Sequence, residues 1–288
     1  MKQLFLLVFL LVGLNARGQG YVDQDAVETL LNSQTGDISN VQKVNWKVYE
    51  YKEYHENDGK GIWSEMLEHL DALPGERLDK RRYVVELASR VTGDKMRKGM
   101  KLFVPETFPE DYRAYSPYPF EYAEARELPK LFIIDKYTQT FGAYEYGRLV
   151  RWGLVSSGST NGKTPPGKYS FTWKSEFRLS SAAPPGEVWE MPYMFNFEPK
   201  VGLHVHQYSL PISQPVSHGC VRVAMADAVW NYNWADGWGP DRKKKGTPVW
   251  VINNNPPGRA AHWKVDADGK VTSLVKLPGR VTEQLVNK

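Results

Sequence analysis

The chain has 288 residues, with 37 Lys and Arg against 33 Asp and Glu and a formal net charge of +4. A balance this even lacks the basic face that nucleic-acid binding requires, and the length suits one large domain or two modest ones. A single cysteine, Cys220, excludes an internal disulfide and leaves one thiol to be explained.

Residues 1–18, MKQLFLLVFLLVGLNARG, join a lysine at position 2 to an apolar run from Leu4 to Leu14 and small residues at Ala16 and Gly18. That is the shape of a secretory signal peptide, and the run falls short of the about 20 apolar residues usual for a membrane span. The sequence therefore predicts a chain that is exported to the periplasm or cell envelope. It predicts no stable membrane insertion once the leader is removed. An unpaired cysteine in such a compartment points to a reactive thiol or an intermolecular bridge.

Residues 19–110 read as a small α or α+β N-terminal domain. DAVETLLN places Val27, Leu30 and Leu31 on one helical face, and WSEMLEHLDAL does the same with Trp63, Met66, Leu67, Leu70 and Leu73. RRYVVELASRV continues the helical texture, and GDKMRKGMKLFVP ends on a short strand. Residues 111–129 read as an ordered linker rich in proline and tyrosine, because prolines at 117, 119 and 129 forbid a regular helix or a central strand.

Residues 130–253 change to strand texture. LFIID, TFGAYEY and LVRWGLVSSG form successive runs, with a tight turn predicted at Tyr146–Gly147. GKYSFTWK and GTPVWVIN supply further strands, and MADAVWNYNWAD, residues 225–236, reads as a helix. Lys243–Lys245 reads as a solvated loop. Residues 181–193, SAAPPGEVWEMPY, form a long loop that is read as a flap over the groove. Residues 254–288 form a C-terminal extension, with a hairpin predicted about Asp268–Gly269.

Around the thiol the residues are SHGCVRV, 217–223, preceded by the pair His204 and His206. An imidazole near a thiol takes its proton, and the thiolate is the nucleophile. Gly219 permits close backbone approach, and a helix predicted soon after Cys220 would favour an anion there. HVH followed by HGC also offers three nitrogens and a sulfur, a zinc set, although the spacing matches no usual paired pattern. On the residues alone, nucleophile and zinc site both stand.

The segment HVHQYSLPISQPVSHGCVRV resembles the signature of the L,D-transpeptidase catalytic domain: a histidine, a little over a dozen residues, then Ser-His-Gly-Cys, an apolar residue and Arg. LFIIDKYTQTFGAYEYGRLVRWGLVSSG, TPPGKYSFTWK, MPYMFNFEPKVGLH and GTPVWVI are similar to further segments of that family, in the same order. The resemblance implies a mainly β catalytic domain, a β-sandwich-like fold with one or two short helices. It implies Cys220 as nucleophile and His204, thirteen positions before Ser217, as general base oriented by the carbonyl of Val205. His218 would support charge near Cys220, and the N–H groups of Gly219 and Cys220 would form the oxyanion hole. Arg222, Ser217, Tyr193 and His206 are the expected substrate-binding residues. No metal and no cofactor is implied. The expected partners are peptidoglycan stem peptides and glycan strands, with acylation by carbapenem β-lactams. VVELASRVTGDKMRKGMKLFVPETF resembles the second half of a lysin-motif module, against which an unrelated helical domain stays open.

Overall fold

The computed structural model describes residues 20–51 and 77–279. The leader expected at 1–18 and the helix expected at 63–73 lie outside the described residues. Among those residues no helix is long and apolar enough to cross a membrane.

Two mixed sheets carry the fold. The larger is built from β3 (Leu131–Asp135), β4 (Thr140–Glu145), β5 (Arg148–Leu154), β6 (Gly167–Ser170) and β11 (Pro248–Ile252), in the order β5-β4-β3-β11-β6. Only its β3–β11 pair is parallel. The smaller contains β7 (Lys174–Ser175), β8 (Met194–Glu198), β9 (Leu203–Gln207) and β10 (Val221–Val223), in the order β10-β9-β8-β7. Its β9–β10 pair is parallel, which sets the position of the thiol. The turn between β4 and β5 forms as the sequence predicts: Tyr146 and Gly147 have φ 45° and 77°, and a Cβ on Gly147 would stand 2.6 Å from the Tyr122 carbonyl.

β3 is buried at every position, and its alternating residues feed two different cores. Phe132 and Ile134 face the smaller sheet, where Phe195, Phe197, Val205, Val221 and Val223 close the sandwich interior. Leu131 and Ile133 face the other way, into a second core. A continuous apolar run needs cover on both faces, and each fully buried aliphatic or aromatic side chain contributes about 1.5–3 kcal/mol.

That second cover comes from the N-terminal half. Helix α1 (Gln24–Asn32), capped by the Asp23 side chain, buries Val27, Leu30 and Leu31 there. Helix α2 (Arg77–Ser89) adds Val84 and Leu87. The proline- and tyrosine-rich segment does not run free between two units: Tyr112, Tyr115, Tyr118 and Tyr122 are buried in the same core. Tyr112 stacks on Trp152 at 4.7 Å and its carbonyl accepts the Trp152 indole N–H at 3.0 Å. Proline blocks the ladder and the helix, yet leaves aromatic rings free to pack. The strands β1 (Trp46–Glu50) and β2 (Lys101–Pro105) pair antiparallel, with α2 packed on β2. At the C-terminal side β12 (Trp263–Val265) and β13 (Val271–Ser273) form the expected hairpin, Gly269 taking φ 82°.

One side chain ties the halves together. Arg90, just past α2 and only 2% exposed, donates to the carbonyls of Ile212 at 2.9 Å, Gln139 at 3.0 Å and Thr138. Three buried carbonyls depend on one planar fork. Arg90→Ala is therefore expected to lower unfolding stability by about 3 kcal/mol, with Arg90→Lys recovering little of it. Urea unfolding of the three proteins measures this.

Candidate active site

The sequence brings Cys220 to His204 through the parallel pairing of β9 and β10. In its register Val221 stands opposite Val205 and Arg222 opposite His206, so the residue before Val221 lands beside the residue before Val205. The Cys220 Sγ lies 3.6 Å from His204 Nδ1 and 3.8 Å from the Gly202 carbonyl. His204 Nε2, at the far side of the ring, is buried without a hydrogen-bond partner. The expected contact with the Val205 carbonyl is thus not made: the neighbouring carbonyl is that of Gly202, which precedes β9.

The loop that presents the sulfur is laced from within and from the 156–164 segment. Ser217 Oγ donates to the Cys220 carbonyl and accepts from the Gly219 N–H at 3.0 Å. Thr164 Oγ1 donates to the Gly219 carbonyl at 2.7 Å and accepts from the Gly158 N–H at 2.8 Å. Gly219 has φ 148°, and a Cβ there would meet the Lys163 carbonyl at 2.9 Å. Ser217 is 3% exposed, so its main work is to shape this loop rather than to present a hydroxyl. The Gly219 N–H, expected in an oxyanion hole, is committed to Ser217.

Burial dominates the electrostatics. It pushes the Cys220 thiol up, against the opposing pull of the His204 backbone N–H and the Arg222 charge. Burial likewise brings His204 down to about 4, helped by the Arg178 charge and opposed by the Gly202 carbonyl. Both shifts favour the uncharged form, of the thiol and of the imidazole. Helix α3 (Met225–Trp234) begins after β10 (Val221–Val223), five residues beyond Cys220. Among the described residues, no three His, Cys, Asp or Glu side chains are placed to hold a metal ion. His206 turns its Nδ1 to the Gln207 carbonyl at 2.8 Å and is brought down to about 4, chiefly by burial.

The pair opens into a cleft of about 340 Å³ whose lining includes His206, Ser217, His218, Gly219 and Arg222. Residues 178–191 contribute one wall: Ser180 N–H bonds the Trp189 carbonyl at 2.9 Å, and Met191 N–H the Arg178 carbonyl at 2.8 Å. Sequence reasoning missed four side chains here. Trp173 meets the His204 ring edge-on at 5.5 Å, and Arg178 lies over Trp173 at 5.1 Å. Trp189 packs against His218 at 4.9 Å, while Tyr208 lies under the Arg222 guanidinium at 4.6 Å. His218 is exposed and makes no hydrogen bond to the sulfur, so its expected support of the charge is not seen; its partner is the wall. Tyr193 does not line the cleft. Its φ of 48° and its contact with Tyr232 at 5.8 Å turn the ring toward α3. Loop residues carry no periodic signal, and only the position of Tyr208, two beyond His206, hinted at the same face.

Residues 129–251 match the family model of the YkuD L,D-transpeptidase catalytic domain. No curated protein matches the chain. Among solved structures, L,D-transpeptidase 1 of Mycobacterium tuberculosis is similar at 20% identity and TM-score 0.34, over 43% of this chain and 62% of that one. The chain thus spans less than two thirds of that relative's length. The enzyme from Stackebrandtia nassauensis is similar at 19% identity and TM-score 0.37, over 84% of this chain and 95% of that one. Residues 123–326 of the Xylanimonas cellulosilytica L,D-transpeptidase give 26% identity and TM-score 0.37, over 59% and 78%. The stretch that matches the family model starts two residues before β3, stops one residue short of the end of β11 and includes both members of the thiol–imidazole pair. Residues 129–251, less than half of the chain, are thus similar to the YkuD L,D-transpeptidase catalytic domain.

Proposed function

We propose that the protein is an exported peptidoglycan L,D-transpeptidase with Cys220 as nucleophile and His204 as base. One observation carries this reading: the only thiol of the chain lies 3.6 Å from a buried imidazole in the lining of a cleft. Cys220 attacks the carbonyl of the third residue of a tetrapeptide stem, and the Sγ proton passes to His204 Nδ1. The C–N bond breaks, His204 protonates the leaving amine, and D-alanine departs from a thioester. A stem amine then attacks the thioester, His204 takes its proton, the thiol is restored and a 3–3 cross-link forms. Dividing the exchange into two acyl transfers with one base is the logic of covalent catalysis.

Shifts that favour the uncharged forms suit this sequence of proton transfers: the thiol is activated as it attacks. Because the Gly219 N–H is engaged by Ser217, the N–H of Cys220 is the main-chain donor left for the oxyanion. Arg222 takes the anionic group of the donor stem, and the 181–193 loop closes over it. Residues 1–18 act as a leader that directs the enzyme to the periplasm or envelope. A lysin-motif-like role for the N-terminal part, binding glycan strands, is supported by the antiparallel β1–β2 pair with α2 against it.

Cys220→Ala is expected to abolish release of D-alanine from purified tetrapeptide stems, and His204→Ala to slow it by about 10³-fold. Intact mass spectrometry should find a carbapenem adduct on the wild-type chain and none on Cys220→Ala. Turnover by Cys220→Ala would sink the reading; release of D-alanine with water alone as acceptor would make the enzyme an L,D-carboxypeptidase.

The pH dependence has a definite sign. His204 accepts a proton only while neutral, and its value of about 4 keeps it so well below the ordinary histidine range. Carbapenem acylation should therefore keep its base through pH 6 and lose it as pH falls toward 4. Arg178→Gln removes a charge that opposes the imidazolium, so the acid limb should move to higher pH. Stopped-flow acylation rates across pH 3–8, read for both proteins, test this within the range where about 90% of each state is defined by one unit of pH.

A further inference from the structure

The residues that hold Arg222 are themselves held from outside the matched domain. The Arg222 guanidinium rests on the Tyr208 ring at 4.6 Å and donates to the Ser209 carbonyl at 3.3 Å. Both partners lie on the stretch that leaves β9. Val22 N–H bonds the Leu210 carbonyl at 2.9 Å, and Ile212 N–H bonds the Gly20 carbonyl at 2.9 Å, so an N-terminal arm runs along that stretch. At its end stands Gln24, the half-buried first residue of α1.

The Gln24 amide makes three bonds to three different points. Its Nε2 donates to the Tyr208 carbonyl at 2.8 Å. Its Oε1 accepts from the Gln207 side chain at 3.1 Å and from the Met225 N–H at 2.9 Å. The last contact has a clear physical need. Ala224, the residue before α3, has no side-chain oxygen to cap the helix, and Gln24 supplies one from another element. A single amide thus fixes the start of α3 and the backbone of the residue whose ring supports Arg222.

We infer that Gln24 is a positioning residue for Arg222, acting through Tyr208, so that recognition of the anionic group of the substrate depends on the N-terminal arm. The inference rests on the reading of Arg222 as the group that takes that anion. A merely structural glutamine would affect stability and all reactions of Cys220 alike. A positioning residue affects the response to negative charge.

The test compares alkylation of Cys220 by iodoacetate with that by iodoacetamide at one fixed pH of about 9, so that the same fraction of thiolate meets both reagents. Their rate ratio reads positive charge beside the sulfur and requires no assumption about the natural substrate. Gln24→Met should lower that ratio by about threefold and raise KM for tetrapeptide stems by about tenfold with kcat little changed. In an Arg222→Ala background the same substitution should add nothing to either effect. Tyr208→Leu, which leaves the Gln24 amide in place, should reproduce the loss and serves if Gln24→Met does not fold. An unchanged ratio in Gln24→Met, an undiminished effect in the Arg222→Ala background, or an unchanged ratio in Tyr208→Leu overturns the inference. Should the wild-type enzyme fail to release D-alanine from stems, the proposed function fails, and the alkylation ratios alone still decide the role of Gln24.

Discussion

The parallel pairing of β9 with β10 is the constraint on which the site depends. Two parallel neighbours cannot be joined by a tight turn, so the chain must leave β9, cross, and return beside it. Residues 208–220 make that journey without a helix of their own. Their backbone groups therefore need partners elsewhere, and the structure supplies them from two sides. Ser156, Ser157 and Ser159 bond the returning stretch, while Gly20 and Val22 bond the departing one. Because the register of β9 with β10 is fixed by Val205 and Val221 in the sandwich interior, a slip by one residue would carry both His204 and Cys220 to wrong positions.

Burial of this pair has an electrostatic consequence that differs from a pre-formed ion pair. A thiolate and an imidazolium would each lose hydration, and the surrounding dipoles do not offset that loss. The environment instead raises the thiol and lowers the imidazole, so both shifts disfavour a resting ion pair. Arg222 and Arg178 act on opposite members of the pair: the first favours an anionic sulfur, the second disfavours a cationic ring. Both arginines thus place positive charge beside the pair.

Much of this was legible in the sequence. Alternating or continuous apolar runs located β3, β4, β5 and β11, the Tyr146–Gly147 turn followed from residue type, and 225–236 contained α3. The pairing of Cys220 with His204 followed from the signature residues. What escaped was tertiary. Proline at 117 and 119 excluded ladders and helices, but nothing local told that Tyr112, Tyr118 and Tyr122 would be core residues. The hint lay in LFII of β3, whose two apolar faces demand two covers. Arg178 and Trp189 sit on a wall without periodicity, and Tyr193, expected from the resemblance among the substrate-binding residues, turns toward α3 instead. The commitment of the Gly219 N–H to Ser217 depends on a hydroxyl rotamer, which sequence does not encode.

The N-terminal half is consequently part of the catalytic architecture rather than an appendage to it. A fragment cut at the matched boundaries would expose Leu131, Ile133, Tyr144 and Trp152 on one face of the larger sheet, all of them buried in the whole chain. It would also leave the carbonyls of Thr138, Gln139 and Ile212 without Arg90, and the first N–H of α3 without Gln24. An unpaired buried carbonyl costs about 1–3 kcal/mol and the bare apolar face adds to it, a large share of the about 5–15 kcal/mol that holds a domain folded. The stretch from Gln207 to Ile212 is the point where these dependencies meet: it departs from the strand that carries His204, it supports Arg222, and its own support comes from residues 20–24 and 90. Arg222 and the start of α1, some two hundred residues earlier, are thereby joined by a short chain of contacts through Tyr208 and Ser209.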